Sequence, residues 1–197
     1  MRSNDEAPRP WELVSSEHDD HMILFRPRWD QLRHPLSQKV MRRLVLETPE
    51  WVNVVARDSA GRYVMVEQYR FGTSSLTLEV PGGMVDPGED HGAAARRELR
   101  EETGYTADSW VYLGAVEPNP AFQTNLCHHW FADGVHATHI QELDEGEDIR
   151  IRLLDESDLV RRVRAGEIRH SLVVTALSRV LDLRCTDDVT TFEGMQR

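Results

Sequence analysis

The stretch from Pro81 to Tyr105, PGGMVDPGEDHGAAARRELREETGY, constrains the fold more than any other part of the chain. Its second half reads as one helix from about Asp90 to Thr103, closed by Gly104 just past its end. In a helix, positions i, i+3 and i+4 share a face, so Glu98, Glu101 and Glu102 point the same way within about one turn. Gly92, Ala95, Leu99 and Thr103 form a narrow, mostly small strip beside them, which lets a helix lie close against a sheet. Gly82-Gly83 and Asp86-Pro87-Gly88-Glu89 precede the helix as a loop able to bend close to a ligand. Arg97, four residues before Glu101, can brace that carboxylate from the side. Such a segment needs a sheet to rest on, and the rest of the chain has to supply it.

The flanking sequence supplies strands. Trp51 to Val55 and Tyr63 to Tyr69 read as strands joined by a turn at Asp58-Ser59-Ala60-Gly61. Leu76 to Val80 is another and stops at Pro81. Strands resume at Trp110 to Val116 and Leu126 to Ala132. From Asp148 to Leu154 the residues alternate, Ile149, Ile151 and Leu153 on one face and Asp148, Arg150 and Arg152 on the other. The carboxy end is helical, with Val173, Leu177, Val180 and Leu181 at helical spacing after a break at Ala165-Gly166. Before Thr48, the apolar stretches Trp11 to Val14, His21 to Phe25 and Leu44 to Leu46 are separated by polar residues, Pro27 and Pro35, and predict a small three-stranded sheet. The fold class is α/β, a sandwich around a mixed sheet. The expected organisation is an amino-terminal strand unit over residues 1–48, a main domain over 49–184 and a tail over 185–197.

Three adjacent carboxylates repel one another. A solvated helix face is one reading of E-x-x-E-E; the other is a hard-cation site, since Mg²⁺ and Mn²⁺ take carboxylate, carbonyl and water ligands. The full spacing favours the second. Gly83, five residues, Glu89, seven residues, then Arg97-Glu98-Leu99-Arg100-Glu101-Glu102-Thr103-Gly104 resembles the Nudix box of the Nudix hydrolases. Tyr105 stands where the box has an aliphatic residue. Glu67-Gln68-Tyr69-Arg70 followed by Leu78-Glu79-Val80-Pro81-Gly82-Gly83 is similar to the pattern before the box in ADP-ribose pyrophosphatases and related nucleoside diphosphate sugar hydrolases. The likeness covers roughly residues 40 to 182 in pattern. It implies a Nudix α/β/α sandwich, with the amino-terminal strands building a homodimer whose two chains share each pocket.

The resemblance also implies roles. Glu98, Glu101, Glu102 and the carbonyl of Gly82 would hold Mg²⁺, and Glu102 and Arg97 would belong to the catalytic centre. The acidic run Glu142-Leu143-Asp144-Glu145-Gly146-Glu147-Asp148 is either a solvated loop or, aligned on the following strand, the source of a general base at Glu145 and a metal-approaching carboxylate at Glu147. Arg70 would clamp a phosphate, or is a surface arginine at a strand end. Glu79 would orient the nucleotide or sugar, or faces solvent. Trp51 would stack on the base, or is a half-buried strand aromatic. Asn119, Pro120 and Phe122 lie where ADP-ribose pyrophosphatases carry a Ser-Pro-Gly-type loop. They form either a rigid substrate rim or an ordinary tight turn, and the replaced serine and glycine point to a broader nucleoside diphosphate sugar substrate range.

Two rival functions share these residues. One keeps the chemistry and changes the substrate to a nucleoside triphosphate or dinucleotide. The other is a non-catalytic nucleotide-sugar-binding module, against which the retained Glu98, Glu101 and Glu102 count. Cys127-His128-His129 is no metal pair, because neighbouring strand residues point to opposite faces, and these residues, like His91 and His170, read as structural or surface residues. The net charge of −11 argues against a nucleic-acid partner. No apolar run approaches the ~20 residues of a membrane span. Two cysteines and an opening MRSNDEAPRP without an apolar stretch fit a cytoplasmic protein.

Overall fold

The computed structural model describes residues 24–184. The expected strand at Trp11 to Val14, most of the one at His21 to Phe25, and the tail 185–197 lie outside the described residues.

The centre of the molecule is a parallel pair, β3 (Trp51–Asp58) and β8 (Cys127–Ala137), in register from Trp51 opposite Cys127. A parallel pair is covered on both faces, which is why Val52, Val54, Val55 and Ala56 are all buried. β4 (Tyr63–Arg70) returns from β3 through a turn in which the Asp58 carboxylate accepts the amides of Ala60 and Arg62 at 2.9 and 2.8 Å. β4 pairs antiparallel with β5 (Ser75–Glu79) and with β9 (Arg150–Leu154), while β7 (Ser109–Val116) pairs antiparallel with β8. The two-residue strand β6 (Tyr105–Thr106), which the residue pattern gives no hint of, completes a seven-stranded mixed sheet.

Each face of the sheet carries a core. The helix α1 (His91–Thr103) lies on one face, where Ala94, Ala95 and Leu99 meet Val52, Val54, Ala56, Val64 and Ala132. The expected strip of small residues is the buried one. On the other face α2 (Glu156–Arg164) and α3 (Ser171–Ser178) cover Val55, Tyr63, Met65 and Val80 with Leu159, Val173, Ala176 and Leu177. Two helices therefore flank the break at Ala165-Gly166, and Val180 and Leu181 follow the end of α3 rather than belonging to it. Among the described residues no helix is long and apolar enough to cross a membrane.

The described part of the amino-terminal unit is a two-stranded antiparallel sheet, β1 (Arg26–Arg33) with β2 (Val40–Glu47), in which β1 is a strand the sequence pattern does not single out. Pro27 does not separate strands but sits inside β1, where an edge strand tolerates a missing amide hydrogen. The hairpin is tied to the main sheet at Leu46, whose amide donates to Phe122 O at 2.7 Å and whose carbonyl accepts from Thr124 N at 3.2 Å.

Candidate active site

Segment 81–85 positions the site. It runs beside β3, with Val54 N donating to Pro81 O at 2.8 Å and Val52 N to Gly83 O at 2.9 Å. No side chain fits at Gly82, where a Cβ would strike Val52 O, and one on Gly83 would displace the Glu98 carboxylate. This close approach brings the loop onto α1, and Gly82 N–H donates to Glu102 Oε2 at 2.9 Å. The helix is fixed at both ends. Asp90 caps its start by accepting Gly92 N, and Gly104, at φ 73°, ends it by donating to Arg100 O.

Arg97 organises the carboxylates. It binds both oxygens of Glu89 at 3.0 and 2.9 Å, Glu98 at 2.8 Å, Glu101 at 3.2 Å and the carbonyl of Met84 at 2.9 Å. The hydrogen bond from Arg97 holds the Glu89 carboxyl below its ordinary range. Glu101 is turned sideways, one oxygen to Arg97 and the other to Arg100 at 2.9 Å. Glu98 and Glu102 are the two carboxylates left facing inward. Burial lifts the Glu98 carboxyl to about 7 against the opposing pull of Arg97, and Glu101 and Glu147 add repulsion. Burial likewise holds Glu102 well above the usual carboxylate range, with Glu98 and Glu147 adding to it.

These two groups are the test of whether a cation fits. Among the described residues no three Asp, Glu, His or Cys side chains converge as a ready-made cage. Mg²⁺ does not need one: it keeps several waters and is commonly held by one or two carboxylates together with substrate phosphates. Two nearly dry carboxylates without a full counter-charge, one of them tied to the Gly82 amide, are a donor set of that kind.

The other expected residues divide. Glu147 lies near enough to raise Glu98 and Glu102, and its carboxylate closes its own turn by accepting Asp144 N at 3.0 Å. Glu145 sits exposed at the tip of that turn and does not join the cluster. Arg70 and Glu79 are brought together with each other: Arg70 Nε and Nη2 donate to the two Glu79 oxygens at 2.9 and 2.8 Å. Glu79 therefore does not face solvent; its carboxylate is engaged by Arg70. Burial alone would push its carboxyl up, but Arg70 and the hydroxyl of Thr77 at 2.6 Å bring it below the ordinary value. Arg70 itself keeps 44% of its side chain exposed. Trp51 is half-buried at the start of β3, bridged to Met84. Asn119, Pro120 and Phe122 form a turn, with Asn119 O accepting Phe122 N and Gln123 N, and the turn docks on β2 instead of on α1.

His91 and His128 sit in a network the sequence does not reveal. His128 lies between Tyr112 Oη and Glu50 Oε2, each at 2.9 Å, and stacks on His91 with ring centroids 4.0 Å apart. Burial drops His129 to about 4 and raises the Cys127 thiol to about 12, which leaves that thiol no nucleophile. Thr77 and Gln141, the latter donating to Glu102 O at 2.7 Å, are site residues with no signal in any motif.

Comparison with known proteins agrees with this geometry. The family model described as NUDIX domain matches residues 48–174. An ADP-ribose pyrophosphatase of Mycobacterium tuberculosis is 32% identical over 88% of this chain and 84% of its own length. One from Bacillus subtilis is 30% identical over 66% of this chain and 71% of its own. A crystal structure of an ADP compounds hydrolase superposes with a TM-score of 0.73 at 22% identity, covering 85% of this chain and 90% of that one, which speaks for the fold. Nudix hydrolases in general work with divalent metal ions. With the family model spanning most of the chain and its box folded into a helix that buries Glu102 and hides most of Glu98, the chain belongs to the Nudix family.

Proposed function

We propose that the protein hydrolyses the diphosphate bond of a nucleoside diphosphate sugar of the ADP-ribose type, giving a nucleoside monophosphate and a sugar phosphate, with Mg²⁺ as cofactor or Mn²⁺ in its place. The observation that carries this reading is the pair of under-compensated carboxylates on the box helix, Glu102 buried against the Gly82 amide and Glu98 largely hidden beside it. The likeness to two ADP-ribose pyrophosphatases supports the substrate class.

In this reading Glu98, Glu102 and the carbonyl of Gly82 hold the ion, with Glu101 and Glu147 beside them. When bound, the ion neutralises the diphosphate oxygens and makes the attacking water more acidic. Arg97 is a positioning residue, since its contacts go to Glu89, Glu98, Glu101 and Met84 O. Arg70, oriented by Glu79, presents its remaining edge to a substrate phosphate. Glu145 takes the proton from the water as its turn closes on the substrate, an effect worth ~10²–10⁴-fold for a well-placed base. Trp51 stacks on the base, and Asn119, Pro120 and Phe122 border the sugar.

Residues 1–48 serve as a dimerisation unit and 49–184 as the catalytic domain, in the cytoplasm. In support of a homodimer, Trp29, Leu44 and Val40 share one open face of the β1–β2 hairpin, and an isolated two-stranded hairpin is marginal in water. The hairpin carries six basic side chains against Asp30 and Glu47 in an otherwise acidic chain, so a second copy is its complementary partner. A monomeric mass in solution would contradict this. The function itself is tested with purified protein and Mg²⁺ against ADP-ribose, GDP-mannose, ADP-glucose, NADH and nucleoside triphosphates. Diphosphate sugars should be cleaved, and Glu102→Gln should lose at least ~10²-fold in rate. Cleavage of triphosphates alone, or a variant as fast as the parent, would refute it.

A further inference from the structure

The last turn of α1 ends in carbonyls that a helix cannot satisfy internally. Here they are taken up by the acidic segment that follows β8. Gly104 O accepts from Thr138 N and His139 N at 2.9 and 3.0 Å, and Glu101 O accepts from Glu142 N at 2.9 Å. The side chain of Gln141 supplies the remaining tie: Nε2 donates to Glu102 O at 2.7 Å and reaches Ile149 O at 3.4 Å. Two carbonyls on one nitrogen fix the amide's orientation, because a flipped Oε1 would face both of them. One side chain therefore pins the two ends of the loop, residues 141 and 149, to each other and to the end of the box helix.

That placement runs against electrostatics. Between the pinned ends lie Glu142, Asp144, Glu145, Glu147 and Asp148, of which Glu147 acts on Glu98 and Glu102. Glu147 already raises Glu98 and Glu102 by repulsion. Arg100 is committed to Glu101 and stands 3.9 Å from Glu142, and Arg70, which acts on Glu147, is paired with Glu79. Like charge on the loop and on the box makes a neutral tie at the base of the loop favourable.

We propose that Gln141 is a positioning residue that staples the acidic loop to the carboxyl end of α1 and so sets how closely Glu147 approaches Glu98 and Glu102. Its mechanistic meaning rests on the function proposed above, but the tie itself does not. A neutral amide suits this place, because it donates to two carbonyls and adds no charge to a crowded site.

The test compares the parent with Gln141→Leu, which keeps the bulk and removes the donors, and Gln141→Lys, which restores a donor of similar reach. In the metal-free full chain, amide exchange over residues 142–148 should quicken about five- to tenfold in the leucine variant and return toward the parent in the lysine one. Global melting should stay close to the parent. With substrate, the leucine variant should lose about tenfold in kcat and need several-fold more Mg²⁺ for half-saturation, with substrate KM nearly unchanged. Parent-like exchange in Gln141→Leu would overturn the tie. Faster exchange with an unchanged kcat and Mg²⁺ requirement would overturn the positioning role. A parent inactive on every diphosphate would refute the functional reading alone, and the exchange comparison would still decide the staple.

Discussion

Two glutamates beside the box are almost equally hidden, Glu79 at 2% and Glu102 at 3% exposure, and their carboxyls are driven in opposite directions. Glu79 is answered by a guanidinium through two parallel hydrogen bonds and by a hydroxyl. Glu102 is answered by one backbone amide and, less strongly, by the field of Arg70, and it faces two further carboxylates. Both are hidden from water, so the partner decides the outcome. The first arrangement is complete and serves as scaffold for Arg70. The second is short of positive charge, which is the condition a bound cation relieves.

This contrast can be broken by removing one charge at a time. The larger effect should come from Glu79→Gln, which strips Arg70 of its counter-charge and leaves a half-buried cation facing an amide. The folded state should lose about 1–3 kcal/mol, discounted for the exposed part of Arg70, as read from chemical denaturation. Equal stability to the parent would show that the pair contributes nothing. Glu102→Gln in metal-free protein should go the other way or stay neutral, since an amide still accepts Gly82 N–H and carries no buried charge.

A smaller effect should appear in the pH dependence of stability without metal, with opposite slopes for the two sites. Glu79 has its folded value below the ordinary 4.5, so the unfolded chain binds the extra proton; its contribution is present above about 4.5 and is lost as pH falls through the folded value. Glu98, neighbour of Glu102, is raised from 4.5 to about 7, so the folded chain binds the extra proton between those values and stability falls as pH rises through that window. Denaturation midpoints of the parent and of Glu98→Gln between pH 4 and 8 check this. A parent without a declining limb that the variant lacks would remove the basis for calling the box under-compensated.

The box helix is legible in the sequence because its punctuation is local. Asp90 and Gly104 end it through their own backbone chemistry, and the carboxylate face follows from a 3.6-residue period. The Arg70–Glu79 pair is not legible, because it forms between paired strands and neither residue's spacing reveals it. Helix α2 is hidden for a related reason. Only Leu159, Val160 and Val163 mark its apolar side, and its exposed face is laced with Asp158 pairs to Arg161 and Arg162, as polar as a loop in sequence. The two-residue β6 is too short to carry a period. Glu145 and Glu147 look like one acidic site in the sequence, yet the turn at Asp144 to Glu147 sends one outward and turns the other back on its own backbone. A staple such as Gln141 belongs to a class that pattern reading misses, since a single glutamine bound to two carbonyls has no partner motif.

The central claim is that positive charge is missing at Glu98 and Glu102 and not at Glu79. Mn²⁺ binding followed by electron paramagnetic resonance in substrate-free protein tests it directly, on the parent, Glu102→Gln and Glu79→Gln. The parent and Glu79→Gln should bind the ion with similar affinity, while Glu102→Gln should bind it at least about tenfold more weakly. Equal binding by all three proteins, or a loss confined to Glu79→Gln, would contradict the account.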